Sequence, residues 1–336
     1  MIKYFFNFFL IIILISCSEK EIKLFEEISS YDSGIDFENK LFYKEDFNIF
    51  TYRNYYNGGG VGLGDINNDG LLDIYFTSNL NQNKLYLNKG NFQFEDITAT
   101  AKVGGTKSWS TGVSIVDINS DGFLDIYVSN SGDISGDNKQ NELFINNGDL
   151  TFTEKAKDFG LDDRGYSTHA AFFDYDKDGD LDCYLLNNSY KGGFRITSIG
   201  KDQRPVRDEV GGDKLFLNDK GKFIDISEKA GIYGSVIGFG LGVTVGDANN
   251  DGWMDIYVSN DFFERDYLYL NNRDGTFSES LEKMVKSISA ASMGADMADI
   301  NNDGFSEIFV TDMLPEPDER IKTVTTFDSW DRHQFI

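Results

Sequence analysis

Short runs in which β-branched and aromatic residues alternate recur along this chain, and polar, acidic turns interrupt them at regular places. The stretches Ile74-Tyr-Phe-Thr-Ser, Ile126-Tyr-Val-Ser-Asn, Ile256-Tyr-Val-Ser-Asn and Ile308-Phe-Val-Thr-Asp are short and rich in β-branched and aromatic residues. They read as strands. Each follows an acidic turn, and before that turn comes a strand of small and apolar residues, such as Gly112-Val-Ser-Ile-Val116 or Gly242-Val-Thr-Val-Gly246. A second hairpin comes next: Lys84-Leu-Tyr-Leu-Asn88 with Phe92-Gln-Phe94, Glu142-Leu-Phe-Ile-Asn146 with Phe152, Lys214-Leu-Phe-Leu-Asn218 with Phe223, and Tyr267-Leu-Tyr-Leu-Asn271 with Phe277. Four short strands per repeat is the content of a propeller blade. No stretch of the repeat region sustains a 3.6-residue apolar period, and Ser280 to Ala291 is the only candidate short helix.

The acidic turns carry the candidate chemistry. Five of them align without gaps, and their starts lie 52, 57, 73 and 52 residues apart, a blade-type period. Odd positions 1 to 9 of each turn are Asp65, Asn67, Asp69, Leu71 and Asp73 in the first and Asp117, Asn119, Asp121, Phe123 and Asp125 in the second. They are Asp174, Asp176, Asp178, Asp180 and Asp182 in the third, and Asp247, Asn249, Asp251, Trp253 and Asp255 in the fourth. The fifth has Asp299, Asn301, Asp303, Phe305 and Glu307. A hard cation needs several oxygen ligands, which side chains at positions 1, 3, 5 and 9 and the carbonyl of position 7 supply. Glycine at position 6 permits the sharp turn. An EF-hand loop begins the same way but closes with a bidentate Glu at position 12. Here position 12 is Phe76, Val128, Leu185, Val258 or Val310, so these are not EF-hands. The expectation is about five structural calcium ions, one per turn, without which the clustered carboxylates repel one another.

Composition agrees with this picture. The chain has 34 Gly, 3 Pro, 29 Phe and 17 Tyr, which favours a turn-rich β fold over a helical bundle. Its net charge of −25 argues against nucleic acid, whose binding needs a cationic face. The first residues differ from the rest. Lys3 precedes an apolar stretch from Tyr4 to Ile15, shorter than the roughly 20 residues of a membrane span, which reads as an export signal. It ends Leu14-Ile15-Ser16-Cys17, which resembles the lipobox of bacterial lipoproteins and implies lipidation of Cys17. The expected divisions are a signal peptide over 1–16, a tether over 17–45, blades over 46–314, and a tail or truncated further blade over 315–336. The expected location is the bacterial cell envelope, with the outer membrane as anchor. With Cys183 the one remaining cysteine, no internal disulfide can form, and metal must staple the fold.

The repeated turns and their flanks resemble the FG-GAP/VCBS repeat proteins, whose propellers include the integrin α head. The phrases Ser292-Met-Gly-Ala-Asp-Met-Ala-Asp-Ile-Asn-Asn-Asp-Gly304 and Thr168-His-Ala-Ala-Phe-Phe-Asp-Tyr-Asp176 are similar to bacterial lipoproteins with an ASPIC/UnbV-type C-terminal region. The resemblance covers about Asn57 to Leu314. It implies an all-β propeller of four-stranded blades with calcium ligands in the turns. Family rings commonly have seven blades, so five visible turns imply an incomplete ring, with a closed five-blade ring as the alternative. Glu307 in place of Asp departs from the pattern.

Other candidate sites are sparser. The longest insertion, 188–213, carries Lys191, Arg195, Lys201, Arg204 and Arg207 in an acidic protein. It either grips an anionic ligand or is a solvated excursion balanced by Asp202, Asp208 and Glu209. His169 reads as a general base or as a histidine held by a backbone partner, and Trp109 and Trp253 are candidate sugar-stacking rings. No nucleophile elbow, zinc-protease motif or phosphate loop is present. Three readings stay open: an envelope binding or adhesion-type propeller for a glycan, peptide or protein; a carbohydrate-active enzyme resembling polysaccharide lyases; or a structural spacer.

Overall fold

The computed structural model describes residues 24–107, 109–132, 138–188, 202–261, 264–289, 291–313 and 319. Eighteen strands form five antiparallel sheets in strict chain order among the described residues. The first sheet is β1 (Val61–Gly64), β2 (Asp73–Phe76), β3 (Lys84–Asn88) and β4 (Phe94–Asp96). The second is β5 (Ser110–Val116), β6 (Asp125–Asn130), β7 (Glu142–Asn146) and β8 (Phe152–Glu154). The third is β9 (Ser167–Phe173), β10 (Asp182–Asn187), β11 (Lys214–Asn218) and β12 (Phe223–Asp225). The fourth is β13 (Gly240–Gly246), β14 (Asp255–Asn260), β15 (Tyr267–Asn271) and β16 (Phe277–Glu279). The fifth holds β17 (Ser292–Ala298) and β18 (Glu307–Asp312). Each sheet is a meander, and the first strands β1, β5, β9, β13 and β17 lie side by side in that order. This is an arc of propeller blades around one axis, an incomplete β-propeller.

The core is built between sheets. Alternation puts one side of each blade against the preceding blade and the other against the next. Between the first and second sheets lie Ile66, Tyr75 and Leu85 on one side and Val113, Ile126, Val128 and Phe144 on the other. The other interfaces repeat this plan, and Cys183 sits fully buried between the second and third sheets with Tyr127 and Leu143. Polar groups join the blades too. The Asn146 side-chain amide donates to the Ile66 carbonyl and that of Asn271 to the Tyr175 carbonyl, both at 2.8 Å. Near the axis the Ser114 hydroxyl donates to Ala170 O at 2.7 Å and Thr168 to Gly240 O at 2.9 Å. Gly112 makes this closeness possible: a Cβ there would lie 2.4 Å from the Thr168 carbonyl oxygen.

Two expectations need correcting. Each four-stranded blade is followed by a one-turn helix, at Thr98–Ala101, Ala156–Phe159, Ser227–Ala230 and Leu281–Met284, where one short helix was expected. One turn is too brief to generate a 3.6-residue period, and left-handed residues Lys102, Gly160 and Gly231 end the first three at once. The stretch read as a tether is also partly packed. Phe37 stacks on Phe76 at 4.7 Å, Asp36 accepts the Tyr86 hydroxyl at 2.8 Å, and Asn39 donates to the Asn79 side chain at 2.7 Å. The segment runs across β2 and β3 of the first blade.

Candidate metal centres

All five acidic turns join the first strand of a blade to its second, so they gather at one end of the arc. Their backbone repeats. In the first turn the Asp65 carboxylate accepts the N–H groups of Asp69 and Gly70 at 3.0 and 2.7 Å, and Asp69 accepts that of Leu71 at 2.9 Å. Asp117, Asp174, Asp247 and Asp299 accept the corresponding groups of their own turns. Glycine at position 6 has φ between 84° and 97° in every turn. Position 4 is also left-handed, with Asn68, Ser120, Lys177, Asn250 and Asn302 at φ 58–64°. Asparagine tolerates that conformation better than most residues, which explains its preference there.

Position 9 does more than offer a ligand. Asp125 is fully buried; one oxygen accepts Ile118 N–H at 3.1 Å and the other accepts Asn146 N–H at 2.8 Å. Asp73, Asp182 and Asp255 make the same pair of bonds, ending on Asn88, Asn218 and Asn271. This carboxylate therefore fastens the turn to the last residue of the third strand. The signal was visible in the sequence as the asparagine that ends each third strand, but spacing alone gave it no role.

The electrostatics favour a cation. Burial, with a smaller push from the other acids of each turn, raises Asp125 and Asp255 to about 6 and Asp182 to about 7, despite their hydrogen bonds. Asp180 is raised to about 6 by desolvation and the neighbouring Asp178, Asp176 and Asp174 charges. In the third turn Asp174, Asp176 and Asp182 bring ligand oxygens within 4.8 Å of one another. An all-oxygen set of this kind suits a hard divalent ion. The residues present thus fit calcium, best in the third turn. The fourth turn differs, because the Arg273 guanidinium meets Asp251 at 2.8 Å and holds its carboxyl low. In the fifth, Glu307 reaches the Ile300 N–H at 2.9 Å as its aspartate counterparts do, but its second oxygen takes the Asn301 amide at 2.6 Å.

Neighbouring turns touch. Asn68 donates to the Gly122 carbonyl at 3.0 Å, and the Lys177 ammonium lies 4.5 Å from the centre of the Trp253 ring. Trp253 is thereby engaged by a cation.

The remaining sequence candidates scatter. Cys17, Lys191, Arg195 and Lys201 lie outside the described residues. Arg204 pairs with Glu264 at 2.7 Å, and Arg207 donates to the carbonyls of Ile232 and Asp213 at 3.0 Å, so both guanidinium groups fasten the insertion to the fourth blade and its own base. Trp109 is buried under Phe47, Tyr52 and Tyr55. Its edge, with His169, reaches a cavity of about 520 Å³ at the end of the arc opposite the acidic turns. Tyr56, Asn57, Gly58, Thr111, Leu241 and Met293 also line it, so the starts of all five blades contribute. No charged side chain lines it among the described residues, and burial lowers the His169 pKa so that the ring is neutral at pH 7.

Comparison with known proteins follows the repeats. The FG-GAP-like repeat family matches residues 65–128, 133–185 and 247–310, together more than half of the chain. Cartilage acidic protein 1 of Xenopus tropicalis is 29% identical over 215 residues, covering 61% of this chain and 29% of its own length. Integrin alpha-3 of Mus musculus is 31% identical over 99 residues, covering 26% of this chain and 9% of its own length. The chain thus spans less than a third of the length of the curated relatives it matches. A solved Agrocybe aegerita lectin that recognises non-reducing terminal N-acetylglucosamine overlays 74% of this chain and 59% of its own, at 19% identity and a TM-score of 0.42. That overlay is too loose to bear on ligand or fold.

Proposed function

The chain belongs to the FG-GAP-like repeat family, and from that premise we propose that it is a calcium-stiffened binding propeller of the adhesion type. Five calcium ions in the acidic turns hold one end of the blades, and the opposite end presents a ligand surface centred on the axial cavity. The separation of the two ends carries this reading: the acids that need a cation lie at one end, and an uncharged cavity lined from five blades lies at the other. A glycan or a short peptide or protein segment suits such a cavity. Catalysis is disfavoured, because His169 is accompanied in the cavity lining, among the described residues, by no Asp, Glu, Cys, Lys or Arg, and its titratable neighbours there are tyrosines. The export signal and Cys17 lipobox complete the proposal with a lipid anchor at the cell envelope.

Extracellular calcium modules bind at roughly 10⁻⁴–10⁻³ M, so 10 mM calcium stabilises the fold by about 1.4–2.7 kcal/mol per site. Calorimetry is expected to record uptake of about five ions, and excess chelator to lower the melting temperature. An unchanged melting temperature with no heat of metal binding would reject the metal part. Glycan and peptide arrays, repeated with Tyr56→Ala and His169→Ala, test the ligand surface independently. Binding that survives both substitutions places the ligand elsewhere.

A further inference from the structure

Among the described residues, the fourth acidic turn differs from the others in what meets its position-5 aspartate. One oxygen of Asp251 accepts the Trp253 N–H at 2.9 Å, as Asp69, Asp121, Asp178 and Asp303 accept the position-7 N–H of their own turns. In the first and second turns the other oxygen takes the amide of the position-3 asparagine, Asn67 at 3.0 Å and Asn119 at 2.9 Å, so it faces the next candidate ligand. In the fourth turn this oxygen, Oδ2, meets the Arg273 guanidinium at 2.8 Å. Arg273 holds a place built for glycine. Its N–H donates to the Asn271 side chain at 2.8 Å, just as Gly90 and Gly148 donate to Asn88 and Asn146 at 2.9 Å. All three have positive φ, 81° and 75° for the glycines and 65° for Arg273, where a β-carbon is unfavourable. A second positive charge stands close by, because the Lys177 ammonium of the third turn leans over the ring of Trp253, position 7 of the fourth. The third turn is the opposite case, with aspartate at all five odd positions.

We infer that Arg273 is an intramolecular competitor for the cation of the fourth turn and holds that turn's affinity below what its own ligands would give. The inference rests on the reading that the acidic turns take calcium. A divalent ion that uses Asp251 Oδ2 must displace the guanidinium or share the oxygen with it, and either costs affinity. The Arg273 side chain is 53% exposed, so it can leave the turn for water without disturbing the packing of the blade. When the ion departs, the guanidinium returns and offsets part of the charge of Asp247, Asp251 and Asp255. The turns therefore fill in order, the fourth after the third, rather than together.

Trp253 gives the fourth turn an optical signal of its own. A terbium ion held in that turn takes up excitation from the indole, whereas Trp109 is buried at the opposite end of the arc, and Trp330→Phe removes the third tryptophan. Terbium titration of the full chain in that background, excited where indole alone absorbs, follows the fourth turn, while calorimetry with calcium follows all of them. Arg273→Gly restores the residue of the first two blades and is expected to lower the half-saturation of the sensitised emission about three- to tenfold. The remaining calorimetric sites are expected to stay where they were. Arg273→Asn, which also tolerates this φ, is expected to do the same. Variant titrations that superimpose on the parent, or that move to higher terbium, overturn the competition. A shift shared equally by every calorimetric site also overturns it, assigning Arg273 a general structural role. A chain that takes up no metal by either measure overturns the calcium reading together with this inference.

Discussion

At the scale of single residues, the position just before each third strand shows how similar geometry is reached with different charge. Asn141 in the second blade takes the Asn130 N–H and meets the Tyr127 hydroxyl at 2.9 Å. Asp213 in the third takes the Asn187 N–H and the Tyr184 hydroxyl, both at 2.9 Å. Complete burial, offset only in part by those bonds, raises the Asp213 carboxyl to about 7. Its pKa is higher folded than unfolded, so its stabilising effect is full below about pH 4 and disappears as pH rises through 7. Asp213→Asn is expected to fold, to copy the second blade, and to flatten the fall in urea midpoint between pH 4 and 8. An unchanged slope would assign that fall to other groups. The position-9 acids call for a different substitution. Asp125→Ala strands the N–H groups of Ile118 and Asn146 and is expected to cost about 2–4 kcal/mol even in chelator, with Asp125→Asn costing less. A cost that vanished in chelator would reduce Asp125 to a ligand alone. The sequence displayed these aspartates as ligands because spacing reports what recurs along the chain. Their second role depends on a strand that returns 15 to 36 residues later, which spacing does not report.

Among the elements, the recurring short runs of β-branched and aromatic residues placed strands in all five sheets, because an inner strand packs against a neighbouring blade on both sides. That signal failed where an element is one turn long or irregular. The four short helices and the packed stretch around Phe37 are held by tertiary contacts rather than by a period of their own. The position-4 residues escaped notice for a related reason: φ leaves its mark on residue choice only weakly, and Ser120 and Lys177 break even the asparagine preference. Strand spacing near the axis gives a sharper test. Gly112→Ala would push its methyl into the Thr168 carbonyl and the His169 backbone, and is expected to destabilise the fold by about 2–3 kcal/mol. Urea denaturation measures it. A neutral result would mean that the second and third blades can slide apart without penalty.

For the molecule as a whole, the arrangement is close to one-dimensional: each blade packs mainly on the blades before and after it. Stability should then grade along the chain. The second strands β6, β10 and β14 are buried throughout, whereas β1 and β18 have exposed residues along their length. Hydrogen exchange is expected to be slowest in the former three and fastest in β1 and β18. Uniform protection across all five sheets would instead show a single cooperative block.

The burial of Cys183 gives this arrangement a built-in stopwatch. Its thiol has no contact with solvent, and its surroundings hold the proton on well above the ordinary thiol range. A thiol-specific reagent can reach it only while the second and third blades stand apart. With Cys17→Ser removing the other cysteine, the colour released at each calcium concentration times how often that seam opens, with no label added to the protein.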